Sequence, residues 1–207
     1  MTPRRQALLD AAIGVLGERG MRELTHRAVD AEAGVAAGST ANYFPTREAL
    51  LEAIVERVSA MERDHFDDMA LEIRPVTPAE LGRAVAGWVR EGTSARRALT
   101  LSRYAILVEA GHNAKIRRQL AETGSRVNAW FANWLQLIGS SDTDHDVEVL
   151  GNYITGMMLH QLAIPDPDFD PAGKITGLLE SLIQPAGMPA KNSEHRDGPA
   201  PAPGSTS

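Results

Sequence analysis

Apolar residues recur at intervals of three and four along most of the chain, and this spacing constrains its fold more than any other feature. Between residues 4 and 19 it places Leu9, Ile13 and Leu16 on one side, as on an amphipathic helix. No segment alternates apolar and polar residues in the way that a half-buried strand does. We therefore expect an all-α fold.

Length and composition set further limits. A chain of 207 residues with 43% hydrophobic residues has room for one domain or two small ones and enough apolar side chains for a packed core. It contains no cysteine, which excludes disulfides, thiol chemistry and cysteine-bound zinc. It shows neither a signal-peptide pattern near Met1 nor an apolar run long enough to span a membrane. These features predict a soluble, cytoplasmic protein with no membrane partner.

The formal net charge of −6 argues against a nucleic-acid partner until its distribution is considered. Residues 1–50 hold six Arg and six Asp or Glu, so the rest of the chain carries the whole excess of negative charge. The N-terminal segment is thus far less acidic than the remainder. This difference indicates one end suited to an anionic partner, without amounting to a basic patch.

Two short helices are predicted on either side of Gly34-Val35. Thr25 is placed to cap the first, which ends at Gly34, and the second spans about residues 36–43. Short helices joined by a tight glycine-containing turn are typical of a helix-turn-helix, whose second helix enters the major groove of DNA. Small side chains let that helix approach DNA closely, and Phe44 is placed to anchor it to the core. An ordinary small-residue helix in a helical bundle fits the same spacing.

A run of short motifs around these helices adds a resemblance to a known family. The motifs follow one another without a gap: Leu24-Thr25, Ala33-Gly34-Val35, Gly38-Ser39-Thr40, Asn42-Tyr43-Phe44 and Arg47-Glu48-Ala49-Leu50. In this register, residues about 4–57 resemble the DNA-binding domain of the TetR family of transcriptional regulators. The resemblance implies an N-terminal three-helix domain of helix-turn-helix type, followed by a C-terminal helical domain for ligand binding and dimerisation.

The resemblance implies DNA contacts at the first helix of the motif and at the helix after it. Thr25 and His26 match positions where a helix N-terminus meets a phosphate, and a helix N-terminus favours an anion on physical grounds. Arg27 matches a position where some members read a guanine edge. Arg47 matches a basic residue that pairs with the DNA backbone at the start of the fourth helix.

The second helix of the motif is implied to read the groove. Its matched positions are groove-facing Ala37, Gly38 and Asn42, phosphate-contacting Ser39 and Tyr43, and Thr40, which belongs to the same stretch but at a position that usually packs inward. The chain departs from many members at Ala36-Ala37, where they have Ser-Lys, and at Ala41, where they have Tyr. Base readout is therefore expected to depend on few side chains, those of Asn42, Arg27 and Ser39, and recognition of DNA shape is expected to matter more.

Helices are also predicted for the rest of the chain up to residue 184. Their approximate ranges are 46–71, 77–91, 95–110, 113–138, 142–163 and 170–184, and Thr46 and Thr77 are placed to cap the first two. From Pro185 onward Pro, Gly, Ala, Ser and charged residues prevail, which predicts a disordered tail. We expect a DNA-binding domain over residues 1–57, a helical ligand-binding and dimerisation domain over 58–184, and the tail over 185–207.

In the family, the helical body binds a small molecule, and its last two long helices pair with their twins in a homodimer. The chain is consistent with this pairing, because Gly151 and Gly156 permit close approach of helix 142–163, and helix 171–184 is apolar over a wide arc. A dimer with its recognition helices about 34 Å apart matches successive major grooves of double-stranded DNA at a palindromic operator. Two core helices of a monomer fit the same residues.

Aromatic and flexible side chains of the body are candidates for the effector pocket. The candidates are Trp88, Tyr104, Trp130, Phe131, Trp134, Met157 and Gln161, with Met61, Phe66 and His112 as further ones. Such walls suit a hydrophobic or planar small molecule. Plain core packing accounts for each of these residues taken alone.

Catalytic signatures are missing from the sequence, which contains no Gly-x-Ser-x-Gly elbow, no glycine-rich phosphate loop with Lys and no His-Glu-x-x-His pair. The acidic cluster Asp142, Asp144, His145 and Asp146 fits either a metal site of a helical enzyme or acids at a helix N-terminus. We expect a non-enzymatic, ligand-responsive repressor without a cofactor. The alternative is a helical interaction protein whose helix-turn-helix no longer binds DNA.

Overall fold

The computed structural model describes residues 2–183 other than the side chain of Arg126, and every regular element in that range is an α-helix. The helices are α1 (Pro3–Arg19), α2 (His26–Glu32), α3 (Ser39–Tyr43), α4 (Arg47–Glu72), α5 (Pro78–Thr93), α6 (Arg97–His112), α7 (Ala114–Leu137), α8 (Thr143–Ala163) and α9 (Pro171–Ile183). The prediction of an all-α fold is confirmed. The predicted tail, residues 185–207, lies outside the described residues.

Threonine caps set the starts of several helices. Thr25, Thr46 and Thr77 each accept a hydrogen bond from the backbone N–H three residues on, as the sequence predicts for all three. Gly20 and Gly34 adopt positive φ angles of 83° and 63° and end the first two helices. The helix boundaries predicted for the body agree with the structure to within about two residues.

The second helix of the motif is shorter than predicted. The prediction began it near residue 36, but α3 covers only Ser39–Tyr43. Gly38 has a φ angle of 88°, in the left-handed region that a right-handed helix does not contain, so residues 36–38 form a turn. Ala37 and Gly38 therefore lie before the helix and not within it.

Two clusters of buried apolar residues hold the molecule together. The first lies among α1, α2, α3 and the start of α4, and it extends into the body through Ile106 and Ala110 of α6 and Ile116 of α7. The second joins α5, α8 and α9 with the ends of α4, α6 and α7, around Phe66. The predicted domain boundary at residues 57 and 58 falls within α4, which contributes to both clusters. That boundary stays a prediction.

Helix α1 packs directly on α6, at Gly17. A Cβ atom added to Gly17 would overlap the backbone carbonyl group of Ala98. Only glycine permits this approach of the two helices, because any side chain would occupy the same space as the Ala98 backbone. The N-terminal helices are thereby seated on the body through α6 as well as through α4.

None of the helices in residues 2–183 is both long enough and apolar enough to cross a lipid bilayer.

Candidate nucleic-acid interface

The turn between α2 and α3 is held by backbone hydrogen bonds. Gly34 N–H donates to the carbonyl of Ala31 at 3.2 Å, and Val35 N–H donates to the carbonyl of Asp30 at 3.0 Å. Gly34 and Gly38 both have positive φ angles, which lets the chain reverse twice within a few residues. The helix pair predicted from the spacing around Gly34-Val35 is present.

Asp30 of α2 caps α3 from the neighbouring helix. Its carboxylate accepts hydrogen bonds from the N–H groups of Gly38 and Thr40, both at 2.7 Å, and from the Thr40 hydroxyl. Gly38, at the N-cap position of α3, has no side chain to supply such bonds. Asp30 is only 3% exposed, so the orientation of α3 depends on a buried anion.

Burial and hydrogen bonding act on the pKa of Asp30 in opposite directions. Burial favours the neutral acid and raises the pKa, but the hydrogen bonds from Thr40 and Gly38, with His26 nearby, favour the anion. Their sum holds the pKa below its ordinary value. The sequence pattern did not predict this role for Asp30. Its one local sign is that the acid directly follows Val29, a residue that faces inward.

Thr40 does not face the surface. The resemblance places it in the motif that binds DNA, yet its residue surface is fully buried and both its N–H and its hydroxyl bond to Asp30. This corrects the prediction of a DNA contact at Thr40. The residue instead orients α3 from inside, in line with the inward position that it matches.

Several predicted contact residues of α2, α3, the adjoining turns and the start of α4 are exposed. Thr25, Arg27, Ala37, Asn42 and Arg47 are all exposed. Within residues 2–183, the side chains of Arg27 and Asn42 have no hydrogen-bond or ion-pair partner. A guanidinium and an amide with unused donors are the groups that read base edges most often.

Aromatic residues at the end of α3 divide between surface and core. The Tyr43 side chain is 39% exposed beside the buried Phe44, with their ring centroids 6.5 Å apart. The Arg5 guanidinium lies over the Phe44 ring at 5.0 Å, a cation–π contact that joins α1 to α3. Phe44 anchors α3 to the core, as its position in the sequence indicates.

Three further predicted contact residues also make hydrogen bonds within the protein. His26 Nε2 lies 2.6 Å from the Phe44 carbonyl, and because a carbonyl only accepts, this nitrogen carries the hydrogen. The Ser39 hydroxyl donates to the Ala36 carbonyl at 2.6 Å. Arg47 donates to the Met21 carbonyl at 2.8 Å while staying exposed. DNA contacts by these side chains stay predictions. In this structure the three side chains stabilise the motif through hydrogen bonds to backbone carbonyls.

The predicted pocket residues of the body fall in separate places. Trp88 and Phe131 line a small cavity of about 60 Å³ together with Phe66. Met157 and Gln161 instead line an open depression of about 610 Å³ on the outer side of α8 and α9. The structure therefore does not bring these candidates together in one cavity, and their role in ligand binding stays a prediction. The periodicity of α8 did not reveal that these two residues lie on its outer side.

The remaining candidates belong to the packed interior or the surface. Trp134 is 3% exposed, with its ring centroid 5.8 Å from that of Phe131, and Trp130 packs on Trp134 at 6.4 Å. The Tyr104 hydroxyl donates to the Thr155 carbonyl at 2.7 Å, and burial raises its pKa. His112 is exposed, and Met61 packs against the N-terminal core cluster.

A further cavity of about 180 Å³ lies between α4, α6 and α7. Its walls include Val58 and Glu62 of α4, Arg103 and Ile106 of α6, and Thr123 of α7. Glu62 and Arg103 also line the 60 Å³ cavity and a third one of about 20 Å³. Sequence reasoning had no signal for this pair, because the two residues come from helices far apart in the chain.

The acidic cluster at the start of α8 contains the N-cap residue of that helix, Asp142. Asp142 accepts from the N–H of His145 at 3.2 Å, and the buried Asp146 accepts from the Ser140 hydroxyl at 2.7 Å. The first bond is a typical N-cap bond, and acidic residues near a helix N-terminus are favoured by the helix dipole. In the part of the chain that the structure describes, no three His, Asp or Glu side chains are grouped to hold a metal ion.

Comparisons with known proteins agree with this arrangement. Residues 8–54 match the model of bacterial regulatory proteins of the tetR family, and residues 76–185 match that of the tetracyclin repressor-like C-terminal domain. The first match contains the whole exposed surface of α2 and α3, and the second covers more than half of the chain.

Individual relatives are similar over most of their length. The HTH-type transcriptional regulator BetI of Rhizobium meliloti (strain 1021) is 26% identical over 159 residues, which are 76% of this chain and 77% of that protein. The nucleoid occlusion factor SlmA of Actinobacillus pleuropneumoniae (serotype 5b, strain L20) is 26% identical over 156 residues, or 73% and 75% of the two chains.

Among solved structures, the multidrug binding protein EbrR complexed with ethidium aligns with a TM-score of 0.65 at 27% identity. The alignment covers 87% of this chain and 98% of EbrR. Together with the two family models, which match the N-terminal helices and the helical body in turn, these similarities identify the protein: the chain belongs to the TetR family of transcriptional regulators.

Proposed function

We propose that this protein is a homodimeric repressor in the cytoplasm that leaves a palindromic operator when a small hydrophobic molecule binds its body. The observation that carries the proposal is the exposed surface of α2 and α3. There the side chains of Arg27 and Asn42 have no hydrogen-bond or ion-pair partner among the described residues, and the turn and Asp30 hold α3 in place. Groups with unused donors on an oriented helix suit the reading of base edges in a major groove.

The outer face of α8 supports a dimer. Gly156 lines the outer depression, Gly151 is also exposed, and a Cβ atom added at either would meet nothing within 4 Å. Between and beyond them, Tyr153 and Leu159 leave 38% and 47% of their surfaces exposed. Small residues with exposed apolar neighbours permit close packing of a second copy of α8 and α9. A two-fold axis through that contact gives one recognition helix to each half of a palindrome.

Ligand response is supported by the cavities of the body and by the likeness to EbrR, a multidrug binding protein solved with ethidium. The walls of the 60 Å³ cavity are mainly apolar and aromatic. α4 borders the cavities with Glu62 and begins beside α3 at Arg47. A ligand that binds one position of α4 more tightly than another shifts the spacing of the two recognition helices and lowers the affinity for the operator.

The test is the selection of bound sequences from a random DNA pool at physiological salt. The parent should recover a palindrome, and Asn42→Ala should relax its preference at one position in each half-site, a loss of about 1–3 kcal/mol. Asn133→Ala changes an exposed asparagine of α7, in the body, and is the matched control. Its selected sequence should equal that of the parent.

An interaction protein with an inactive helix-turn-helix gives a different result. It would recover no sequence above background, and changes at Arg27, Asn42 or Tyr43 would leave its weak DNA affinity unaltered. That outcome would overturn the proposal. The parent could also select a palindrome while Asn42→Ala selects the same sequence. That result would support DNA binding but contradict the role of Asn42 in base readout.

A further inference from the structure

Three cavities of the body meet at one ion pair. Arg103 Nε of α6 lies 3.3 Å from Glu62 Oε1 of α4, and both residues line the cavities of about 180, 60 and 20 Å³. The side chains are only 29% and 19% exposed. Screening by water is therefore weaker here than at a surface ion pair, so the charges strongly affect what the cavities accept.

Positive charge exceeds negative charge around the smallest of these cavities, whereas Glu62 and Arg103 are the charged residues that line each of the two larger ones. The smallest cavity is also lined by Arg96, whose side chain has no hydrogen-bond or ion-pair partner within residues 2–183. The Glu62 carboxylate thus lines this cavity together with two guanidinium groups, those of Arg96 and Arg103. The 3.3 Å contact of the pair is made by Arg103 Nε, and no hydrogen bond of the two terminal nitrogens of Arg103 is present in the described part of the chain. A guanidinium in this state is suited to a second carboxylate, which it binds through two parallel N–H···O bonds.

The surrounding walls are apolar and partly aromatic. Phe66, Trp88 and Phe131 line the middle cavity, and the ring centroids of Phe66 and Trp88 lie 5.2 Å apart. Val58 and Ile106 line the largest one. A flat apolar body fits against such walls, while a charged group on its edge has Arg103 within reach at the junction of the cavities.

We propose that the effector of this protein is an organic anion, a flat apolar molecule with a carboxylate that binds Arg103 and takes the place of Glu62. The inference rests on the regulatory function proposed above and adds the chemical class of its ligand. An anion suits this site because it balances the excess guanidinium charge, whereas a cation would be repelled by it.

The exchange of partners at Arg103 also connects the ligand to the DNA-binding end. Glu62 belongs to α4, whose first turn lies beside α3, and Arg103 belongs to α6, on which α1 is seated at Gly17 and Ala98. The ion pair is a polar link between these two helices. When a ligand carboxylate binds Arg103 in place of Glu62, the ion pair between the two helices is broken, and α4 is freer to move relative to α6.

Three naphthalene probes of the same shape test the proposal by isothermal titration of the full-length protein. The probes are 2-naphthoate, the neutral 2-naphthamide and the cationic (2-naphthyl)methylammonium. We expect the parent to bind the carboxylate about tenfold more tightly than the amide and to bind the ammonium most weakly. Equal affinities for the acid and the amide, tightest binding of the ammonium, or no binding of any probe would overturn the proposal.

Variants with opposite expected effects sharpen the test. Arg103→Gln should abolish the preference for the carboxylate over the amide, whereas Glu62→Gln should strengthen carboxylate binding several-fold because the competing anion is gone. Arg97→Gln changes an exposed arginine of the same helix and should bind all probes like the parent. Thermal unfolding of each variant shows whether it is folded. Weaker carboxylate binding in a folded Glu62→Gln variant would contradict the proposal that the ligand carboxylate replaces Glu62 at Arg103.

The two proposals fail separately. The probe titrations need no DNA, and the selection of an operator needs no probe. A protein that selects a palindrome but prefers the ammonium probe remains a ligand-responsive regulator, with a cationic effector in place of an anionic one.

Discussion

The Asp30 carboxylate accepts hydrogen bonds from both the backbone N–H and the hydroxyl of Thr40, and this contact joins the two helices of the DNA-binding motif. α3 has only five residues, too few to be stable as a helix by its own hydrogen bonds. Its direction is therefore set from α2 and from the turn, which also supplies the N–H of Gly38 to Asp30. The hydrogen bonds of Asp30 to Gly38 and Thr40 therefore determine the positions of Asn42 and Tyr43 on α3.

Removing the charge of Asp30 should destabilise the motif. In Asp30→Asn one acceptor oxygen becomes an NH₂ group that faces the N–H donors of Gly38 or Thr40. We expect the free energy of unfolding in urea to fall by about 2–3 kcal/mol and operator affinity to fall with it. Asp10→Asn, at an exposed ion pair with Arg57, should change stability by less than about 1 kcal/mol. Equal effects of the two substitutions would contradict the role given to Asp30.

The same residue should make stability depend on acid pH. The pKa of Asp30 is lowered in the folded state, so its contribution is complete above the ordinary carboxyl pKa near 3.8 and is lost as the pH falls through the lower folded value. The difference in free energy of unfolding between the parent and Asp30→Asn should therefore narrow as the pH is lowered from about 5 to about 2. Urea titrations across this range measure it. A difference that stays constant would show that Asp30 is not the group that titrates.

A single methyl group added where α1 contacts α6 should lower the free energy of unfolding. Gly17→Ala places a Cβ against the Ala98 backbone, and we expect a loss of about 1–3 kcal/mol. Gly14→Ala, in the same helix, meets nothing within 4 Å and should instead stabilise the protein by about 0.5–1 kcal/mol. Thermal unfolding of the two variants checks the opposite signs. A stable Gly17→Ala variant would mean that α1 and α6 separate easily.

Thr25 should matter for DNA as well as for stability. Thr25 and Thr77 each cap a helix, α2 and α5, so replacing either with Ala should cost about 1 kcal/mol of folding free energy. Only Thr25 lies on the surface proposed to bind DNA. Operator affinity, measured by fluorescence anisotropy, should fall roughly fivefold in Thr25→Ala and stay unchanged in Thr77→Ala. Parallel losses in both variants would assign the whole effect to stability.

The proposed dimer should be sensitive to charge on the outer face of α8. Leu159 is 47% exposed there, and Leu159→Arg should weaken association by at least about tenfold in sedimentation velocity. Leu71→Arg, at the 85% exposed end of α4, is the matched control and should leave the oligomeric state unchanged. A dimer that tolerates Leu159→Arg would place the contact elsewhere on the surface.

Much of this molecule follows from short-range patterns. Apolar spacing located the helices of the body to within about two residues, and Thr25, Thr46 and Thr77 marked helix starts because a capping bond reaches only three residues along the chain. The motifs from Leu24 to Leu50 indicated the family. The length of α3 escaped the prediction, since helical spacing does not show that Gly38 takes a left-handed conformation.

The sequence by itself determined the helices other than the extent of α3, the threonine caps and the presence of a helix-turn-helix, because each depends on hydrogen bonds and periodicity within a few residues. Tertiary structure alone decided that Asp30 holds Thr40, that Glu62 meets Arg103, and that Met157 lines an outer depression while its neighbour Met158 is buried. Successive residues of a helix point about 100° apart, and which of those directions meets another helix depends on how distant segments cross. Contacts between such segments create the buried anion and the cavities.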